Sequence, residues 1–311
     1  MYELKRNNES LYKFIVDLYL SCFNLKIKID KIRRKYNTLD FGAINLGFLA
    51  FDNTQEVAAY YGVFPLKANV NNRIVSCAQS GDTMTSPKHQ KKGLFILLAN
   101  ATYELCKAEG ISFVFGFPNK NSFPGFERKL DWKFTGNMYK FSINRLNLPI
   151  CELAYKFDLL NNFYQKWVNY ILKPYIIDEN NPHFNFQNTT DNFYIIRDKR
   201  FFDYKRQNSE CKLIKFENFV FFIKAEGHLM VGDIEFQNNF DVKKCLDSLS
   251  KIARLLFCTR IIFYCSKNHW MYCEMSKYQI PEKSLPIGFK VTIENFDFDK
   301  FQFSLADFDT F

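Results

Sequence analysis

Pro87-Lys88-His89-Gln90-Lys91-Lys92-Gly93-Leu94-Phe95 is the stretch on which the reading of this chain turns. It separates a β-rich segment ending in Met84-Thr85-Ser86 from a helical one, Leu94 to Glu109, with Phe95, Leu98, Thr102 and Leu105 on one face. Gly110 is placed to end that helix. Ile111–Phe117 is a continuous apolar run, the pattern of a strand buried on both faces. Strand, loop, helix and strand make a βαβ unit. A helix N-terminus leaves N–H groups unpaired and carries partial positive charge. Consecutive N–H groups aimed at one point form an anion nest. Gly93 lets a phosphate approach the backbone with no Cβ in the way, and Lys91 and Lys92 add charge at the mouth. The stretch predicts a diphosphate site.

Upstream, Leu11, Phe14, Ile15, Leu18, Tyr19, Cys22 and Phe23 form a helical stripe, followed by the basic run Lys31–Lys35. Ala43–Phe51, Val57–Leu66 and Arg73–Met84 read as strands of an antiparallel meander, punctuated by Asp52-Asn53-Thr54 and Asn71-Asn72. Downstream, Cys151 to about Tyr175 reads as helical and connects two halves. Phe219–Lys224, His228–Phe236 and Arg260–Cys265 read as strands, and Asp241 caps a helix with the stripe Val242, Cys245, Leu246, Leu249, Ile252, Ala253 and Leu256. Gly81-Asp82 and Gly232-Asp233 hold similar places before their helices, and the helix starts Leu94 and Val242 lie almost the same distance apart. This argues for a diverged tandem duplication, with domains 1–150 and 151–311. The second loop, Phe236 to Asp241, has neither glycine nor lysine, and Asp241 would repel a phosphate. The second half is therefore read as having lost the anion site, leaving it to shape an acceptor site, form a homodimer interface or cover a sheet edge.

The 311 residues suffice for two domains, and at 47% hydrophobic each can bury a core. The net charge of +9 suits an anionic partner such as a nucleotide, nucleic acid or acidic membrane surface. No long basic arm or aromatic-and-basic surface pattern points to nucleic acid. The 18% of aromatic residues, with 36 Phe, reads as drift in an AT-rich genome. Nine scattered cysteines without a C-x-x-C, and His183, His228 and His269 without ligand spacing, exclude a disulfide framework and a zinc site. MYELKRNNES has no apolar core of a signal peptide, and no run is long enough to span a membrane, so the expectation is a cytoplasmic protein with reduced thiols.

The 87–95 segment resembles the GNAT acetyltransferase superfamily, whose pyrophosphate loop reads Arg/Gln-x-x-Gly-x-Gly/Ala. Gln90 and Gly93 match, and Phe95 departs from the small residue expected. Gly81-Asp82-Thr83-Met84-Thr85-Ser86-Pro87 resembles the family's fourth strand. Phe115-Gly116-Phe117-Pro118-Asn119 with Asn121-Ser122-Phe123-Pro124-Gly125-Phe126 resembles the fifth strand and the next helix, and Leu130-Asp131-Trp132 stands where many members have Leu-Gly-Phe. Together these motifs, over roughly residues 40–145, look like a subgroup encoded among bacterial surface-polysaccharide genes.

The resemblance implies a mixed α/β (α+β) sheet, two GNAT-like domains in tandem with the second degenerate, and acetyl-CoA as cofactor with CoA as product. It implies that Thr83, Met84 and Thr85 line the pantetheine, that Gln90, Lys91, Lys92, Gly93, Leu94 and Phe95 hold the pyrophosphate, and that Asn119, Asn121 and Phe126 flank the cofactor. Asn119 and Asn121 also suit a cap of the following helix. The amine attacks the thioester directly, so catalysis is positioning and proton transfer. Asp82, at the strand splay, is the base candidate beside a plain strand-end role. Many relatives place an acidic Tyr where Glu127 stands here, so Glu127 is the second catalytic candidate beside a plain surface role. His89 could serve as a base, but beside three lysines it reads rather as a phosphate neighbour or a solvent-facing loop residue. The expected activity is N-acylation of an amino group, in the leading reading that of a nucleotide- or lipid-linked amino sugar. The alternatives are a small amine, an aminoglycoside or a protein lysine, and, from another class, a non-catalytic CoA-binding regulatory module.

Overall fold

The βαβ segment read from sequence sits at the centre of the first of two compact units. A computed structural model describes residues 1–177, 193–236 and 240–311. Unit 1 comprises Met1–Gly136 and Leu285–Asp299, and unit 2 comprises Asn137–Ser284 and Lys300–Phe311. The chain crosses between these units near 136, 284 and 299.

Unit 1 begins with β1 (Glu3–Arg6), α1 (Tyr12–Phe23), α2 (Ile29–Tyr36), β2 (Gly47–Phe51), β3 (Val57–Val70), β4 (Arg73–Thr85), α3 (Leu94–Ala108), β5 (Phe113–Gly116) and α4 (Phe123–Lys129). The chain leaves along β6 (Lys133–Asn144). β1 to β4 pair antiparallel in sequence order, β2 to β4 being the meander that the turn signals predicted and β1 a strand the sequence reading lacked, and β4 to β5 is parallel, as a helical crossover requires. Alternation along β3 splits the core in two. Tyr60 and Phe64 face α1 and α2, joining Tyr12, Ile15, Leu18, Ile32 and Tyr36. Tyr61 and Val63 face α3 and α4, joining Leu94, Leu98, Tyr103, Phe126 and Trp132.

Unit 2 contains α5 (Ile150–Lys156), α6 (Asp158–Leu172), β7 (Phe193–Ile195), α7 (Lys199–Asn208), β8 (Cys211–Phe216), β9 (Phe219–Glu226), β10 (His228–Phe236), α8 (Val242–Leu255), β11 (Arg260–Ser266) and α9 (Trp270–Ser276); the chain returns to unit 1 along β12 (Glu282–Val291). The strand order is β6-β11-β10-β9-β8, with β10 and β11 parallel and their neighbours antiparallel. α5, α6, α8 and α9 cover one face through Tyr164, Val168, Leu249, Ile252 and Met271, and Phe201 and Phe202 of α7 pack on Phe222. In unit 1, the Leu285–Val291 part of β12 runs antiparallel to β5, pairing Phe289 with Phe115 and Val291 with Phe113. β5 therefore has a strand on each side, which is why all four of its residues are buried.

The nine cysteines form no disulfide, and seven are buried. Among the described residues no helix is long and apolar enough to cross a membrane.

Candidate active site

β4 pairs with β3 along its length, but with β5 only where Cys77, Ala78 and Gln79 meet Phe113, Val114 and Phe115. From Ser80 onward the two parallel strands part. At that point Tyr61 faces Thr83 while Val63 faces Ser80, so Gly81 and Asp82 together oppose Gly62. Such a bulge bends the strand and re-aims its side chains. Asp82 and Met84 point into the core under α1 and α2, and Thr83 and Thr85 stay half-buried. A β4 edge that β5 no longer covers is a surface to which an extended amide chain can add as a strand.

Just beyond β4, after Ser86, the chain makes one helical turn, Pro87–His89, and passes through Lys91 and Gly93 in left-handed conformation, with φ of +61° and +78°. α3 starts at Leu94 with Gly93 at its cap position, so no side chain satisfies the first-turn N–H groups. A Cβ placed on Gly93 would meet nothing within 4 Å. Gln90, Lys91 and Lys92 are exposed, and neither lysine takes part in an ion pair among the described residues, whereas Lys88 pairs with Glu56 at 2.9 Å. Unpaired donors, an open approach and two free cations fit a diphosphate.

The other expected cofactor residues divide by role. Leu94 and Phe126 are buried in the core, and Met84 lies in the α1–α2 core, so only their backbones are left for a ligand. Phe95 packs edge-on against Phe126 at 5.0 Å and against Tyr61 at 6.0 Å. Gly125 makes room for it, since a Cβ there would lie 2.6 Å from the Phe95 ring. The large residue in the small position is thus absorbed by α4. Asn119 accepts from the N–H groups of Asn121 (2.9 Å) and Ser122 (3.1 Å), which closes the turn ahead of α4 and does not cap it, since the cap position is Ser122 and no side chain bonds the first helical amides; Asn121 is exposed. Glu127 lies on the solvent side of α4, 3.8 Å from Arg128. His89 corrects the sequence expectation of an exposed residue. It is buried, with Nδ1 2.9 Å from the Tyr2 hydroxyl and Nε2 3.8 Å from Asp52, because the start of the chain folds over the loop. Asp52, Glu56 and His89 bring their ligand atoms within 4.8 Å of one another, and Lys88 already neutralises Glu56.

Asp82 has company that the sequence did not reveal. Its Oδ1 accepts from Tyr19 (2.6 Å) and Lys35 (2.6 Å), and its Oδ2 from Tyr36 (2.7 Å). Lys35 also lies over the Phe64 ring, 4.7 Å from its centre. Lys35 belongs to a basic run that reads as a solvated face; the signal overlooked was that Ile32 and Tyr36 of the same run share a buried face of α2. On the other side of the sheet, the Ser80 and Tyr61 hydroxyls lie 2.8 Å apart and those of Tyr61 and Tyr103 3.0 Å apart, while Trp132 Nε1 donates to Tyr103 (3.0 Å). Burial raises the phenol pKa values of Tyr19, Tyr36, Tyr60, Tyr61 and Tyr103, so all are neutral hydrogen-bonding groups at ordinary pH.

Unit 2 has a second strand parting. β10 and β11 pair at Leu229–Ile261, Met230–Ile262 and Val231–Phe263, and then β10 bulges between Val231 and Asp233, at Gly232. There the resemblance to unit 1 stops. Ser304 bridges to Cys265, Ser266 N–H donates to Phe303 O (2.9 Å), and the helical turn Leu305–Asp307 touches both β10 and β11. Phe311 lies so close to Gly232 that a Cβ there would sit 2.4 Å from its ring. Asp233 pairs with the buried Arg197 (3.1 Å), which also holds Asp307 (2.8 Å). α8 is capped, since Asp241 accepts from the Lys244 N–H at 3.1 Å. The loop residues 237–239, from which a glycine is missing, lie outside the described residues.

Residues 5–135 match the model of the acetyltransferase (GNAT) domain. Among solved structures the chain is similar to a GCN5-related N-acetyltransferase from Kribbella flavida, at 12% identity and a TM-score of 0.58, covering 94% of this chain and 71% of that one. It is also similar to a GCN5-related N-acetyltransferase from Anabaena variabilis ATCC 29413, at 10% identity and a TM-score of 0.55, covering 94% and 73%. At such identities the likeness is one of fold, and the fold is GNAT-like. No curated protein matches the chain in sequence.

Proposed function

We propose that the chain is an acetyl-CoA-dependent N-acyltransferase that binds its cofactor once, in unit 1, and that unit 2 is a diverged copy that has lost this capacity. The observation that carries the reading is the parting of β4 and β5 from Ser80 onward, followed along the chain by an uncapped helix start at Gly93. When bound, acetyl-CoA supplies an acyl group already activated as a thioester, so an amine can attack with no enzyme nucleophile. The first-turn amides of α3, with Lys91, Lys92 and Gln90, would hold the diphosphate, and the β4 backbone at Thr83, Met84 and Thr85 would pair with the pantetheine amides. Tyr19 donates to Asp82 and keeps a lone pair for the incoming amine. Its hydroxyl can take the amine proton while passing its own to Asp82, which Lys35 and Tyr36 hold in place. Glu127, exposed on α4, has no part in this reading.

An amino sugar linked to a nucleotide or lipid diphosphate is the acceptor class we favour. It is supported by the likeness of the 81–132 motifs and by the net charge of +9, which attracts anionic acceptors. Such an acceptor places the enzyme in the cytoplasm, at surface-glycan assembly. Titration calorimetry of the full chain with acetyl-CoA should give one site per chain. Thiol release with UDP- and dTDP-amino sugars, against polyamines, aminoglycosides and lysine peptides, should favour the sugars. Binding without release on any amine would leave a CoA-binding module, and no binding would end the proposal.

A further inference from the structure

A helix on a protein surface usually carries one apolar stripe. α6 carries two. Tyr164, Val168 and Leu172 pack into unit 2, while at 100° per residue Leu159, Leu160, Phe163, Trp167 and Tyr170 gather on the far side. Those five are between 40% and 73% exposed. Half of the exposed large apolar side chains among the described residues fall between Leu146 and Ile176. An apolar groove of ≈ 430 Å³ lies between α5 and α6, lined by residues that include Leu153, Leu160, Phe163 and Trp167. An exposed patch of this kind marks a surface that is covered by something.

Its rim is basic. Lys156, Lys166, Lys173 and Arg254 are exposed with no ion pair among the described residues, and within α5 and α6 themselves the exposed acid is Asp158. The Lys166 ammonium lies 5.7 Å from the centre of the Phe163 ring, its stem along the apolar face and its charge at the edge, as a snorkelling lysine does. We propose that the α5–α6 face docks on an anionic lipid bilayer, with Leu159, Phe163 and Tyr170 sunk below the headgroups and the four cations among them. Charge selects this occupant. A two-fold contact with a second copy would set the basic rim against itself, whereas an anionic bilayer complements it. Exposed Trp and Tyr beside lysine are the residue types that settle at a membrane–water boundary. The inference rests on unit 2 alone and does not depend on the acyl-transfer reading.

Flotation of the full chain with vesicles tests it. The protein should float with phosphatidylcholine vesicles containing phosphatidylglycerol and stay behind with phosphatidylcholine alone. Binding should shift the tryptophan emission to the blue, and Trp167→Phe should remove that shift. Phe163→Asp with Tyr170→Asp should weaken binding by about 10-fold or more with the thermal melt nearly unchanged, since both side chains are exposed. Replacing Lys156, Lys166 and Lys173 by Gln should abolish the preference for anionic vesicles. Failure to float with either vesicle, unchanged flotation of the double Asp variant, or a solution dimer which that variant converts to monomer would each overturn the proposal.

Discussion

In unit 1 the strands β4 and β5 separate after Gln79 and Phe115, and in unit 2 β10 and β11 separate after Val231 and Phe263. Both partings begin at a Gly-Asp bulge, and in both the aspartate is held by a buried or nearly buried cation, Lys35 in one and Arg197 in the other. The difference lies in what occupies the gap and the helix start beside it. Unit 1 offers Gly93 and uncapped amides; unit 2 places Asp307 and Phe311 at its gap and Asp241 on its amides. On the proposed function, one strand topology serves as a ligand cleft in one unit and is filled by the chain itself in the other, with a few residues at the helix start and in the 300–311 segment making the difference.

The sharpest way to break the comparison is to exchange the two helix starts. Gly93→Asp should raise the dissociation constant for acetyl-CoA by about 100-fold or more, by adding a carboxylate where the phosphates would sit. The fold should survive, because Asp tolerates the left-handed φ better than most residues. Asp241→Gly should leave the affinity unchanged. Unaltered calorimetric affinity in a folded Gly93→Asp variant would refute the site. Asp82→Asn should lower kcat by about 100-fold with the acetyl-CoA affinity retained, since it keeps the shape and removes the proton acceptor. A kcat near that of the parent across the pH range would leave Asp82 as a strut between β4, α1 and α2.

Phe311→Ala tests the filled cleft. It should cost about 3–5 kcal/mol of stability, the usual range for emptying a buried phenylalanine site, without adding a second acetyl-CoA site, because Asp241 still caps α8. Two sites in the titration would mean that the 300–311 segment alone keeps the cleft closed. The smallest effect concerns pH. Burial, with Arg197 nearby, lowers the His269 pKa from 6.5 to about 3. Between those values the unfolded chain binds a proton that the native chain does not, so stability falls as pH drops from 6.5 towards 3. Asp233, pushed up to about 6 by burial, opposes this between its unfolded value of 3.8 and 6. His269→Asn keeps a side-chain acceptor for the Met271 N–H and cannot protonate, so its melting temperature should drop less than the parent's between pH 7 and pH 4.5. An identical drop would remove His269 as the source.

The β4–loop–α3–β5 stretch was legible because its signals are local: a helical stripe closed by Gly110, a glycine at a helix start, and an apolar run long enough for one buried strand. The same holds for α8 and its Asp241 cap. β12 was not, because Pro286 and Gly288 lie inside it and read as breakers, whereas its place beside β5 is set by residues far away in sequence. α7 hid behind five charges in ten residues, with its Asp198 cap as the overlooked sign. The surroundings of Asp82 come from α1, α2 and β4 together, and neither hydrophobic spacing nor charge runs record which polar side chains of separate elements will meet.

The route of the chain bears on how the protein is made. β5 gains its second neighbour only when β12 arrives, after nearly all of unit 2 has been synthesised. Until then a nascent unit 1 carries Phe113–Gly116 as an uncovered edge, the kind of surface that invites pairing with another chain. A fragment cut at 150 would carry that edge permanently, and a premature stop late in the message would do its first damage to the half that left the ribosome earliest.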